Sequence, residues 1–163
     1  MHHPKQPPGV NAHETFMLKA IAEAKKAAAK GEVPVGAVVV HEGKIIARAH
    51  NGRENKKNAL RHAELDAIDK ACKKLGGWRL FNCDLYVTLE PCPMCAGAIL
   101  NARIRHLVFG AKDPKAGAMG SVFNLNDFPL NHKAMITAGV LEIECGQIIT
   151  TFFQSLRLKK DTL

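Results

Sequence analysis

Apolar positions change period several times along the chain, and each change marks an element. Over residues 14–30, Met17, Ala20, Ile21, Ala24, Ala27 and Ala28 recur at three- and four-residue spacing. This predicts a helix, capped by Asn11 or His13 and closed by Gly31. The continuous apolar run Val35-Gly36-Ala37-Val38-Val39-Val40 reads as a buried strand, His41-Glu42-Gly43-Lys44 as a turn, and residues 45–50 as the returning arm of a hairpin. A polar loop over 51–58 leads to a second helix over 62–75, striped by Leu65, Ile68 and Cys72 and ended by Gly76-Gly77. Strands follow over 84–89 and 106–110, with a third helix over 93–101 between them. Residues 111–133 form a long connection, of a length that points to a functional loop. A short helix over 132–138, a weak strand over 140–144 and a last helix over 146–158 complete the reading. Strands alternating with helices after an opening hairpin predict a three-layer α/β domain with a mixed sheet.

There is no internal repeat and no linker, so residues 13–163 read as one domain preceded by a Pro-rich, flexible extension over 1–12. With 47% hydrophobic and 23% charged residues the chain is not of the disordered class. No apolar run approaches the roughly 18 residues of a membrane span. The first residues lack the apolar stretch of a secretory signal. A reducing, cytoplasmic setting is therefore expected, in which the five cysteines are thiols or metal ligands rather than disulfides. Charge sharpens the picture: of the net +8, residues 1–81 carry +7. A basic face of this kind suits a polyanion, the plainer alternative being a soluble surface with excess lysine.

Two segments carry chemistry: His62-Ala63-Glu64 at the start of the second helix and Pro91-Cys92-Pro93-Met94-Cys95 at the start of the third. Cys92 and Cys95, three residues apart, share a face in the first helical turn. A helix N-terminus favours the thiolate, which is the ligand form. Two helix starts at one end of a sheet bring one imidazole and two thiolates to a single Zn²⁺, leaving the fourth position to water. Glu64, two positions from His62, points away from a fourth ligand site but within reach of that water, as a proton shuttle. Against this stand a redox use of Cys92 and Cys95, and a structural four-cysteine site that adds Cys72 and Cys83. The gaps between those cysteines fit structural zinc patterns poorly. Cys145 reads as core.

These segments resemble the zinc-dependent nucleoside and nucleobase deaminases, and within them the bacterial tRNA-specific adenosine deaminases. Further markers are Glu32-Val33-Pro34-Val35-Gly36-Ala37-Val38, Asn51, the run from Leu85 through Glu90 into the cysteine segment, Val108-Phe109-Gly110-Ala111-Lys112-Asp113, Gly120-Ser121, Asn131-His132 and Phe152-Phe153. The resemblance spans residues 14–157 and implies a cytidine deaminase-like fold with a central five-stranded sheet. It implies one Zn²⁺ per chain on His62, Cys92 and Cys95, with Glu64 moving protons to N1 of adenine and to the departing ammonia. Asn51, Val33 and the backbone near Ala63 would hold the flipped base. Asp113 and Lys115 would lie along the nucleotide strand, with Phe153 and Arg157 near flanking nucleotides. The implied substrate is a tRNA anticodon stem–loop, edited from adenosine to inosine at the wobble position, and the implied assembly is a homodimer.

One departure stands out: where the family commonly has Asp-Pro-Thr-Ala before the zinc histidine, this chain has Asn58-Ala59-Leu60-Arg61. Arg61 could face the sheet edge, contact a phosphate or alter the pocket entrance. Competing functions are deamination of a free base or nucleoside, deamination of adenine in single-stranded DNA, and a binding module that keeps zinc as structural support.

Overall fold

A computed structural model describes residues 11–161. Helix α1 (Ala12–Ala29) begins as the sequence predicts: the Asn11 side chain accepts the Glu14 N–H at 2.9 Å, so the N-cap is Asn11 rather than His13. The hairpin β1 (Gly36–His41) and β2 (Lys44–His50) follows, then α2 (Ala63–Leu75), β3 (Cys83–Leu89), α3 (Pro93–Asn101), β4 (His106–Ala111), β5 (Met135–Thr137) and α4 (Glu142–Asp161). The sheet runs β2-β1-β3-β4-β5, with β1 antiparallel to β2 and β3, and β3, β4 and β5 parallel. The expected five-stranded mixed sheet is therefore present. Of the expected N-terminal extension, residues 1–10 lie outside the described residues, and Ala12 already belongs to α1.

The continuous apolar runs of β1, β3 and β4 are explained by burial on both faces. Val38, Val40, Tyr86 and Val108 pack beneath α1 and α4 with Met17, Ala20, Ile21 and Cys145. Their neighbours Ala37, Val39, Leu85, Val87, Leu107 and Phe109 face the other way, against Ala63, Ala67 and Ile68 of α2 and Ala96 and Ile99 of α3. Small residues let α1 lie close: a β carbon at Gly36 would collide with the backbone of Ala20 and Ala24.

Two C-terminal elements differ from the sequence reading. Residues 132–138 hold no helix; Met135–Thr137 instead forms β5, pairing with His106, Leu107 and Val108 of β4. The strand expected over 140–144 is absent. Leu141 turns the chain with φ +52° and α4 begins at Glu142. Val140 and Leu141 are apolar because they pack against the α1/α4 core, not because they extend the sheet.

Register places one end of the sheet in charge of chemistry. Gly36 lies opposite His50, Ala37 opposite Val87, and Leu89 beside Ala111. The segments before β1 and after β2, β3 and β4 therefore gather at the same end.

Candidate active site and metal centre

Those four segments and the first turn of α2 enclose a cavity of about 180 Å³, walled by Val33 and Val35 ahead of β1, Asn51 after β2, Glu90 after β3 and Asp113 after β4. His62, Ala63, Glu64 and Cys92 line it from the two helix starts. His62 and Cys92 occupy the N-cap positions of α2 and α3, and neither side chain makes a capping bond. Both turn to each other instead. His62 Nδ1 lies 3.7 Å from Cys92 Sγ and 3.4 Å from Cys95 Sγ, and the three ligand atoms fall within 4.8 Å of one another. Tetrahedral zinc with ordinary Zn–N and Zn–S bonds spaces such atoms about 3.6 Å apart, so the donor set fits that ion. Among the described residues no other group of three His, Cys, Asp or Glu side chains meets the same criterion.

The electrostatics of the cluster follow from proximity. The hydrogen bond from Cys95 pulls the Cys92 thiol down to about 4, against the opposing cost of burial and with help from His62. Cys95 is pushed up, because Cys92 already holds the negative charge and Cys95 is itself buried. The hydrogen bond with Cys92 raises His62, and burial raises Glu64, which is 4% exposed. Two uncapped helix starts add N–H groups and positive dipole ends to the same spot, which favours a thiolate there.

Of the residues expected to touch substrate, Val33, Asn51, Ala63 and Asp113 line the cavity, whereas Lys115, Phe153 and Arg157 do not. The Asn51 amide donates to Val33 O at 3.2 Å, joining two walls. Asp113 Oδ1 accepts the N–H groups of Lys115 and Ala116, at 3.0 and 3.1 Å, which shapes its own turn. Phe153 and Arg157 are exposed on α4, Phe153 in an edge-to-face contact with Phe152 at 5.5 Å. Cys72 and Cys83 stand apart from the cluster, Cys72 against Trp78 O and Cys83 against His41, so the four-cysteine arrangement is not formed. Cys145 is buried, as expected for core.

Three buried carboxylates organise the walls without a role anticipated from sequence. Glu90 accepts the N–H groups of Asp113, Met119 and Ser121 at 3.1, 3.2 and 3.1 Å, and the Ser121 hydroxyl. Glu32, fully buried, accepts the N–H groups of Glu54 and Asn55 at 3.1 and 2.6 Å. Asp66 receives Arg61 at 2.7 Å, which answers the question of where that guanidinium goes. The partners of Glu90 and Glu32 lie more than twenty residues away, and that of Asp66 is one cation among several in the preceding loop, so the only local signal is an acid beside a motif. Arg53, which also lines the cavity, follows Asn51 in a run of charges that gives no hint of which one faces inward.

A family model described as MafB19-like deaminase matches residues 11–157. The tRNA-specific adenosine deaminase of Bacillus subtilis (strain 168) is 56% identical over 148 residues, covering 90% of this chain and 92% of that protein. The chain belongs to this deaminase family. A solved structure from work on A-to-I editing by tRNA:A34 deaminases at the wobble position of transfer RNA superposes on this deaminase with a TM-score of 0.80 at 45% identity. It covers 82% of this chain and 98% of that one. The guanine deaminase from Bacillus subtilis also shares the fold, with a TM-score of 0.61 at 34% identity over 91% of this chain and 94% of that one. Deaminases of different substrates thus use one scaffold, and the substrate must be argued from the site.

Proposed function

We propose that this chain hydrolyses adenosine to inosine in tRNA, at the wobble position of the anticodon, with one zinc ion per chain. The observation that carries the reading is the meeting of His62, Cys92 and Cys95 at a small cavity that His62, Cys92 and Glu64 line. His62, Cys92 and Cys95 would hold the zinc ion, which would acidify a water for use as nucleophile. Glu64, buried and not in that ligand group, would carry one proton of the attacking water to N1 of adenine and its second proton to the departing ammonia. The products are inosine and ammonia. Asn51, Val33 and the N–H groups at Ala63 hold the flipped base, and Asp113 lies by its ribose. Lys115, Phe153 and Arg157 meet flanking nucleotides outside the cavity.

An anticodon loop suits the narrow cavity because its bases unstack at low cost. The net +8 supports a polyanionic substrate. A homodimer is supported by apolar side chains left exposed on the long connection, with Val122, Phe128 and Leu130 each 50% or more exposed. No helix among the described residues is long and apolar enough to cross a membrane. Free thiols and a tRNA substrate together suit the cytoplasm.

The test is incubation with an anticodon stem–loop containing adenosine, its DNA equivalent, and free adenosine, guanine and cytosine, with products read by mass spectrometry. Inosine is expected in the RNA. Turnover of a free base alone overturns the reading.

A further inference from the structure

Arg61 immediately precedes the metal-site histidine, where a cation invites a phosphate. Its guanidinium is committed elsewhere. Nη1 donates to Asp66 Oδ1 at 2.7 Å, and Lys56 Nζ reaches Oδ2 of the same carboxylate at 3.4 Å. Asp66 lies on the first turn of α2 and is 6% exposed. One cation comes from the middle of a closed loop and the other from its end. The Gly52 N–H donates to Arg61 O at 3.0 Å and the Lys56 N–H to Gly52 O at 2.9 Å. The Lys56 stem lies so close over Gly52 that an added β carbon would sit 3.3 Å from it. Asn51 and Arg53, at the base of this loop, line the cavity.

We infer that Arg61, Asp66 and Lys56 form an ionic clip that ties the 52–61 loop to α2 and so positions the base-holding wall of the cavity. Arg61 is a positioning residue and not a phosphate contact. The clip acts on the RNA reaction proposed above and rests on that reading. Its polar partners are all supplied by the chain, so it is set before substrate arrives, and its loss falls on substrate affinity rather than on the proton transfers at Glu64.

The test compares Arg61→Ala, Asp66→Asn, the double variant and Arg61→Lys. Lys73→Ala serves as a control, since its ion pair with Asp69 is exposed on the far end of α2. Three readouts are needed: KM and kcat on an anticodon stem–loop, the salt dependence of RNA binding, and amide exchange of residues 52–60 without RNA. Arg61→Ala and Asp66→Asn are each expected to raise KM about five-fold, with kcat within about two-fold, the double variant to add little, as for coupled partners, and Lys73→Ala to change neither. Exchange over 52–60 speeds up, zinc content stays the same, and Arg61→Lys recovers part of the loss. A phosphate contact would behave differently. Arg61→Ala would lower the salt slope by about 0.7–1, while Asp66→Asn, removing a negative charge, would leave or tighten binding. That pattern, or unchanged exchange, overturns the clip. If the unsubstituted protein turns over no RNA, the functional reading fails, and the exchange measurement still decides the clip.

Discussion

Helix α1 and the pair α2 and α3 begin in opposite ways. The side chain of Asn11 closes the start of α1 on the Glu14 N–H. The equivalent positions of α2 and α3 carry His62 and Cys92, which cap nothing and meet each other at the edge of the cavity. A good side-chain cap stabilises a helix by about 1 kcal/mol. The two site helices forgo it, and their first-turn N–H groups stay directed at the place where the Cys92 thiolate forms beside the cavity. The difference teaches where chemistry has displaced stability in this fold. It does so at the residues a helix ordinarily uses to start itself.

The strongest way to sharpen this contrast is to remove the group that only the site needs. Glu64→Ala is expected to lower turnover of the RNA stem–loop by about 10²–10⁴-fold, with zinc per chain unchanged by elemental analysis. Full activity in that variant would sink the proton-shuttle assignment. Gly36→Ala tests the packing side: with the α1 backbone in the way, a destabilisation of about 1–3 kcal/mol is expected in urea unfolding. Activity per folded molecule should persist. The comparison itself is tested by two changes of similar size and opposite sign. Asn11→Ala should cost about 1 kcal/mol and leave zinc content alone, whereas Cys92→Ser should abolish zinc binding yet stabilise the metal-free protein by up to about 1 kcal/mol. Equal destabilisation by both would break the contrast.

The smallest effect concerns pH. Burial pushes the Glu23 carboxyl up, but hydrogen bonds from Lys26 and His50 outweigh it and hold the group below its ordinary 4.5. A depressed folded value means that its contribution is complete above about 4.5 and is lost as pH falls through the folded value. Glu23→Gln should therefore be less stable than the parent at pH 6. The gap should close as pH falls below about 4.5 and through the lower folded value, read as melting temperature against pH.

The cluster of His62, Cys92 and Cys95 and most elements are legible because their signals are local. Three-residue spacing puts Cys92 and Cys95 on one helical face, and His62 announces itself by preceding a periodic stripe. The fifth strand was misplaced because Met135–Thr137 has only three residues, and its pairing is decided by the neighbouring β4 rather than by its own pattern. Val140 and Leu141 looked like strand because helix packing also needs apolar residues. The roles of Glu32, Asp66 and Glu90 depend on partners up to 31 residues away, or on which cation of a run turns inward. Nothing in a local pattern encodes that. Lys115, Phe153 and Arg157, carried over by resemblance, lie outside the cavity, because a family motif matches residues by their position in the chain and not by the cavity they line.

Glu90 has a consequence for how this protein can change. Its carboxylate grips residues 113–121 mainly through main-chain N–H groups, with the Ser121 hydroxyl as the side-chain contribution. Backbone donors are the same whatever side chain is attached. The grip does demand Gly117, where a β carbon would collide with the carboxylate, and the buried Ala118 and Met119 are held by the core. Pro114, Lys115 and Ala116 remain exposed and outside that demand. The path of this wall is thus separable from its surface chemistry, and selection for a new substrate context can rewrite those three positions without redrawing the loop.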